Sequence, residues 1–202
     1  MKAVIWHSEG PKLWDAPVGL YKTLFQGFME TAHAFGIEVI HLTTPGHDIW
    51  GDEGRLFDLN PQDVTLNREI AFTSFLGEEP DDIYWFTEPD CRIKQPLMLN
   101  TDLCLLYREG DKVPITPSFR LATKAALPVF EQVLNNMEGQ AKDWHGDSAA
   151  WNILHRQMKE PKLGVINYQG VSVEFRPYKD YNSPSGKYVT HHKFVSKMQL
   201  VP

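Results

Sequence analysis

The chain reads as an α/β protein with a mostly parallel central sheet flanked by helices. Three observations predict it. Lys2-Ala-Val-Ile-Trp6 is a short apolar run suited to a buried strand. Gly19 to Phe35 then carries Leu20, Leu24, Phe25, Phe28, Met29 and Ala32 at helical spacing, with Gly36 placed to stop the helix. Ile37 to Leu42 follows as a second strand. Strand, helix and strand in that order form a βαβ unit, whose two strands lie parallel.

The remaining elements follow in order. Thr43 to Pro61 is rich in Gly, Pro and Asp and reads as loop. Asn67 to Leu76 is a helix with Ile70, Phe72, Phe75 and Leu76 as its apolar side, and Asn67 is placed to cap it. Asp82-Ile-Tyr-Trp-Phe-Thr-Glu-Pro-Asp90 is an apolar strand that ends in two acids, and Asp102 to Arg108 is another strand. Thr123 opens a helix through its hydroxyl, and Pro128 makes that helix begin later or bend. Asp143 to Met158 is a further helix, and short strands near Gly164 and Val171 lead into a polar, Tyr-rich tail. The expected organisation is one domain over residues 1–202.

Composition narrows the function classes. A net charge of −6 disfavours broad non-specific contact with nucleic acid. Two cysteines, Cys91 and Cys104, do not make a disulfide framework, and a reduced, cytoplasmic chain is expected. No apolar run is long enough to span a bilayer, and the opening residues are too short a run for a secretory signal. The first strand is not followed by Gly-x-Gly-x-x-Gly, and no phosphate-loop Gly-Lys-Ser/Thr occurs, which argues against dinucleotide oxidoreductases and P-loop enzymes.

The chemistry-bearing residues fall in four places. Glu88-Pro89-Asp90 delivers two carboxylates at the carboxyl end of a buried strand, a common way for an α/β protein to hold a divalent cation against a phosphate. The loop after the first strand, beginning at Trp6 and His7, lies where such sheets receive a nucleotide base and ribose. Lys142-Asp-Trp-His-Gly-Asp147 gathers aromatic and acidic groups at a helix start, where Trp144 can stack on a sugar or base beside Asp143. Tyr188-Val-Thr-His-His-Lys-Phe-Val-Ser-Lys197 is basic and carries two adjacent histidines.

The order of these segments resembles the metal-dependent glycosyltransferases of the GT-A fold, over nearly the whole chain. Glu88-Pro89-Asp90 is similar to their Asp-x-Asp motif, with Glu in the first position. The histidine segment is similar to their C-terminal His-x-Lys-Gly, with Phe194 in place of Gly. The resemblance implies a short C-terminal tail that closes a Mn²⁺ or Mg²⁺ site made by Glu88, Asp90 and His191, or His192 if the register slips by one. It makes Lys193 and Lys197 diphosphate contacts and Arg68 a contact to the nucleotide-diphosphate sugar. Val113-Pro-Ile-Thr-Pro-Ser118 is similar to a sugar-supporting segment, which implies donor contacts by Thr116 or Ser118, the latter replacing a Gly. Gly146-Asp147 is similar to the acidic helix-start motif, with Asp147 as general base if configuration inverts or as an orienting acceptor if it is retained.

The implied activity is transfer of a hexosyl or pentosyl group to an acceptor hydroxyl on a glycan, lipid, protein or, as in phage enzymes, a hydroxymethylated DNA base. Two other classes stand beside it. A nucleotidyltransferase shares the fold class but wants a Gly-rich, Arg-bearing loop that residues 7–13 lack. A catalytically silent nucleotide-sugar-binding module accommodates the departures at Glu88, Ser118 and Phe194.

Overall fold

The computed structural model describes residues 1–6, 20–43, 55–56, 64–138 and 146–192. The main sheet is built from β1 (Lys2–Trp6), β2 (Glu38–Thr43), β3 (Arg55–Leu56), β4 (Tyr84–Thr87), β6 (Leu103–Tyr107), β7 (Ile115–Ala122), β8 (Gly164–Tyr168) and β9 (Val171–Pro177). Their order is β3-β2-β1-β4-β7-β6-β9-β8. The β3, β2, β1 and β4 strands run parallel, as do β6 and β9, while β7 and β8 are antiparallel to their neighbours. The sheet is therefore mostly parallel, as the opening βαβ unit requires. A second, two-stranded sheet pairs β5 (Cys91–Ile93) with β10 (Val189–His191).

The helices are α1 (Leu20–Ala34), α2 (Val64–Glu78), α3 (Leu127–Met137), α4 (Gly146–Gln157) and the single turn α5 (Tyr178–Tyr181). Gly36 ends α1 as expected. Its φ of +67° lets Gly36 N–H reach the His33 carbonyl while Ile37 N–H reaches that of Ala32.

Two apolar layers flank the main sheet. Val4, Trp6, Tyr84 and Phe86 point to the side that packs Phe72 and Phe75 of α2, Phe130 of α3 and Trp151 of α4. Ala3, Ile5, Trp85 and Phe119 point to the other, against Phe28 and Ala32 of α1 and the β5–β10 pair. Burial on both faces explains why β4 is apolar at every position rather than alternating.

Several expectations need correction. The α2 helix begins at Val64, so Asn67 is a buried residue inside it and not its cap. Thr123 makes no side-chain cap. Its hydroxyl donates to the Asp102 carbonyl (3.5 Å), and a 3₁₀ turn over Lys124–Ala126 separates it from α3. That helix begins late, with Pro128 in its first turn, where the missing N–H leaves no bond unmade. A short strand, Arg55–Leu56, interrupts the stretch read as loop. The segment from Val113 to Thr123 is mostly the eight-residue β7, buried throughout.

Candidate metal and donor site

The site gathers at the carboxyl end of β4. That strand stops at Thr87, and Glu88-Pro89-Asp90 turns the chain into β5, with Cys91 N–H reaching the Glu88 carbonyl (3.3 Å). Arg92 braces the turn from below, its Nη1 donating to the carbonyls of Pro89 (3.0 Å) and Cys91 (2.7 Å). Its guanidinium lies against α1 at Gly27, where an added Cβ would stand 2.5 Å from Arg92 Nη2.

The β10 strand lies antiparallel on β5 with His191 directly opposite Cys91. His191 N–H donates to the Ser183 carbonyl (3.0 Å), and His192 N–H to the Asp90 carbonyl (3.1 Å). This register brings His191 Nε2 to 3.1 Å from both Glu88 Oε2 and Asp90 Oδ1. Asp90 and His191 are each 1% exposed, so the cluster is shielded while Glu88 reaches toward its open side. Burial alone would lower the His191 pKa, but the charge of Asp90 and the hydrogen bonds to both carboxylates push it up to about 9.

His192 is not part of the cluster. Its Nε2 meets Thr190 Oγ1 at 3.3 Å, and burial and the Arg92 charge hold its pKa below the ordinary value. Cys91 is the residue that sequence reasoning passed over. Its donor atom lies within 4.8 Å of those of Asp90 and His191. The thiol accepts from Thr87 Oγ1 at 3.3 Å, and burial pushes its pKa far up. Adjacency to Asp90 was the available signal.

Arg68, on α2, joins the acidic turn to α4. Its Nη1 donates to Glu88 Oε1 (3.0 Å) and its Nη2 to Asp147 Oδ2. Asp147 sits in the first turn of α4, 1% exposed, with its Oδ1 accepting from Ser148 N–H (2.6 Å). Asn152 fastens α4 to β7 by bonding both the N–H and the carbonyl of Ile115, each at 3.1 Å.

Beneath Arg68 lies a second pair that was not foreseen. Arg120 of β7 is fully buried and donates to Glu69 Oε2, which also accepts from Trp151 Nε1 at 3.3 Å. The Arg120 guanidinium lies 5.0 Å from the Phe72 ring, 5.1 Å from Trp151 and 5.5 Å from Phe130. Burial lowers its pKa and the Glu69 charge opposes that shift.

Thr116 and Ser118 are both buried, and their hydroxyls bond each other (2.9 Å). Ser118 Oγ also accepts from Asn182 Nδ2 (2.6 Å), and Asn182 Oδ1 meets His191 Nδ1. These hydroxyls therefore stand behind the histidine, engaged with protein partners. The Trp6 ring is 7% exposed and packs in the core on the α2 side of the sheet. His7, Asp143, Trp144, Lys193 and Lys197 lie outside the described residues.

What the arrangement can do chemically follows from its donor set. Oxygens of Glu88 and Asp90 each lie 3.1 Å from His191 Nε2, the Cys91 thiol stands within 4.8 Å of the Asp90 and His191 donor atoms, and a guanidinium lies at the rim. The two 3.1 Å contacts are charge-paired hydrogen bonds of a protonated His191, and they are also the spacing that two ligands about 2.1 Å from an octahedral cation adopt. Carboxylate oxygens, an imidazole and a nearby thiol make a donor set able to hold a divalent cation. Among the described residues no helix is long and apolar enough to cross a membrane.

No family model matches the chain, and no curated protein does. Solved structures do. One is a glycosyltransferase involved in the glycosylation of the major capsid of PBCV-1, at 10% identity and TM-score 0.61, with 99% of each chain covered. Another is the apo form of the glycosyltransferase GlyE from Streptococcus pneumoniae TIGR4, at 12% identity and TM-score 0.47, covering 77% of this chain and 43% of that one. At such identities the likeness speaks to architecture, and with the sheet described above it establishes that this chain has a GT-A-type glycosyltransferase fold.

Proposed function

We propose that the protein is a glycosyltransferase that moves a sugar from a nucleotide-diphosphate sugar to an acceptor hydroxyl with the help of a divalent metal. The observation that carries this reading is the convergence of the neighbouring acids Glu88 and Asp90 with His191, which the fold brings to them from about 100 residues further along the chain. The fold shared with a capsid glycosyltransferase supports it.

In this reading Glu88, Asp90 and His191 hold Mn²⁺ or Mg²⁺, which supplies positive charge against the diphosphate leaving group. Arg68 adds a fixed positive charge and hydrogen-bond donors at the same rim. Asp147 has one oxygen held by Arg68 and the other by Ser148 N–H, so both already act as acceptors. The geometry therefore favours its role of orienting a sugar hydroxyl over that of proton abstraction. Trp6, packed in the core, is left out of the donor contacts; Lys193 and Lys197 as phosphate contacts, His7 at the base, and Trp144 with Asp143 at the acceptor complete the proposal.

The test is release of nucleoside diphosphate across a panel of nucleotide-sugars, with Mn²⁺ or EDTA, in wild type and Asp90→Ala. Metal-dependent release from one donor, reduced at least about 100-fold in the variant, is expected. No release from any donor, with glycan and hydroxymethylated-DNA acceptors present, would leave a silent nucleotide-sugar-binding module.

A further inference from the structure

We infer that Asn182 is a positioning residue that locks the His191 imidazole in the tautomer with Nε2 open to a cation. The inference rests on the metal reading of the site. Asn182 is 1% exposed at the end of α5, with its backbone N–H on the Tyr178 carbonyl (2.9 Å). Its side-chain nitrogen is committed to Ser118 Oγ at 2.6 Å, and Ser118 is tied in turn to Thr116 at 2.9 Å. The amide oxygen is left facing His191 Nδ1.

An amide oxygen only accepts, so Nδ1 must carry the hydrogen. A neutral imidazole has a single N–H, and placing it on Nδ1 leaves the Nε2 lone pair free. Nε2 is the atom that stands 3.1 Å from both Glu88 Oε2 and Asp90 Oδ1. An acceptor on the non-ligating nitrogen is how metal-binding histidines are oriented, and its loss typically costs 10–100-fold in affinity. Ser118 Oγ accepts from the amide nitrogen and is itself bonded to Thr116, so both hydroxyls support the amide in this orientation without fixing it alone.

The test needs no activity. Long-range ¹H–¹⁵N spectra of metal-free wild type, at a pH where the ring is neutral, should show His191 with its hydrogen on Nδ1. Asn182→Leu should bind Mn²⁺ about 10–100-fold more weakly, read from free-Mn²⁺ paramagnetic resonance, and should lose the single tautomer. Asn182→Asp keeps an acceptor against Nδ1 and should stay within a few-fold of wild type. A wild-type hydrogen on Nε2, or unchanged Mn²⁺ affinity in folded Asn182→Leu, overturns the inference. The wild-type spectrum decides even if the leucine variant fails to fold. Mn²⁺ uptake with the expected tautomer but no sugar transfer would instead leave this inference standing and sink the glycosyltransferase reading.

Discussion

His191 carries a proton where the proposal puts a cation, and that has a measurable consequence for the metal-free protein. Its folded pKa, about 9, lies above the ordinary 6.5, so the paired imidazolium stabilises the fold fully below pH 6.5. That contribution, of the order of a few kcal/mol, is lost as pH rises through about 9. Denaturation in EDTA should show stability falling across this window, and the fall should vanish in His191→Ala. Asp147 gives a kinetic prediction: Asp147→Asn should cost less than about 100-fold in kcat, the low end of the loss of a general base. A larger loss in steady-state kinetics would restore the proton-abstraction role. Glu88 and Asp90 were legible as candidates from an acidic turn and Asp147 from a helix start, whereas Arg68 and His191 were reached through the order of motifs that the GT-A resemblance supplies. Asn182, Glu69 and Arg120 were not. Nothing in the chain beside them marks a polar residue whose partner lies 9, 51 or 64 positions away.

The elements that hold these residues make their own predictions. The turn before β10 places Gly186 so close that an added Cβ would stand 1.9 Å from the Val189 carbonyl oxygen. Gly186→Ala must open this turn, so it should cost more than about 1 kcal/mol and weaken Mn²⁺ binding through the displaced His191. Chemical denaturation and metal titration check the two effects separately. The Glu69–Arg120 pair fixes α2 to β7 under Arg68. Arg120→Met leaves the buried Glu69 with only the Trp151 Nε1 hydrogen bond and the 3.8 Å contact to Arg68, and should destabilise by up to about 3–5 kcal/mol, while adding Glu69→Leu should recover part of that. The β7 strand escaped sequence reading because Pro117 interrupts it, and prolines are rare in strands paired on both sides. The structure accommodates Pro117 in a bulge: Leu105 pairs with Arg120 and Leu106 with Thr116, so residues 117–119 have no ladder partners on β6. β5 was missed because its three residues pair only with the tail, a partner that no local pattern announces.

For the whole molecule, binding to the folded state alone must raise its stability. Mn²⁺ at about 100 times its Kd adds about 2.7 kcal/mol, which for a chain of this size is a rise of about 5–10 °C in Tm. Asp90→Ala should flatten that response in a thermal melt. The βαβ opening and the sheet's parallel sense were legible because they depend on short-range periodicity. The pairing of β5 with β10 was not, because it joins segments about 100 residues apart with no local pattern linking them. That pairing also bears on how the protein is made. During synthesis the two acids of the β4 turn leave the ribosome about 100 residues ahead of His191, some 5–20 s at ordinary elongation rates. Through that interval the nascent chain has the acids but not the imidazole. Tight cation binding is therefore reached only once β10 has been made, and a chain stopped before it would carry most of the sheet but an incomplete site.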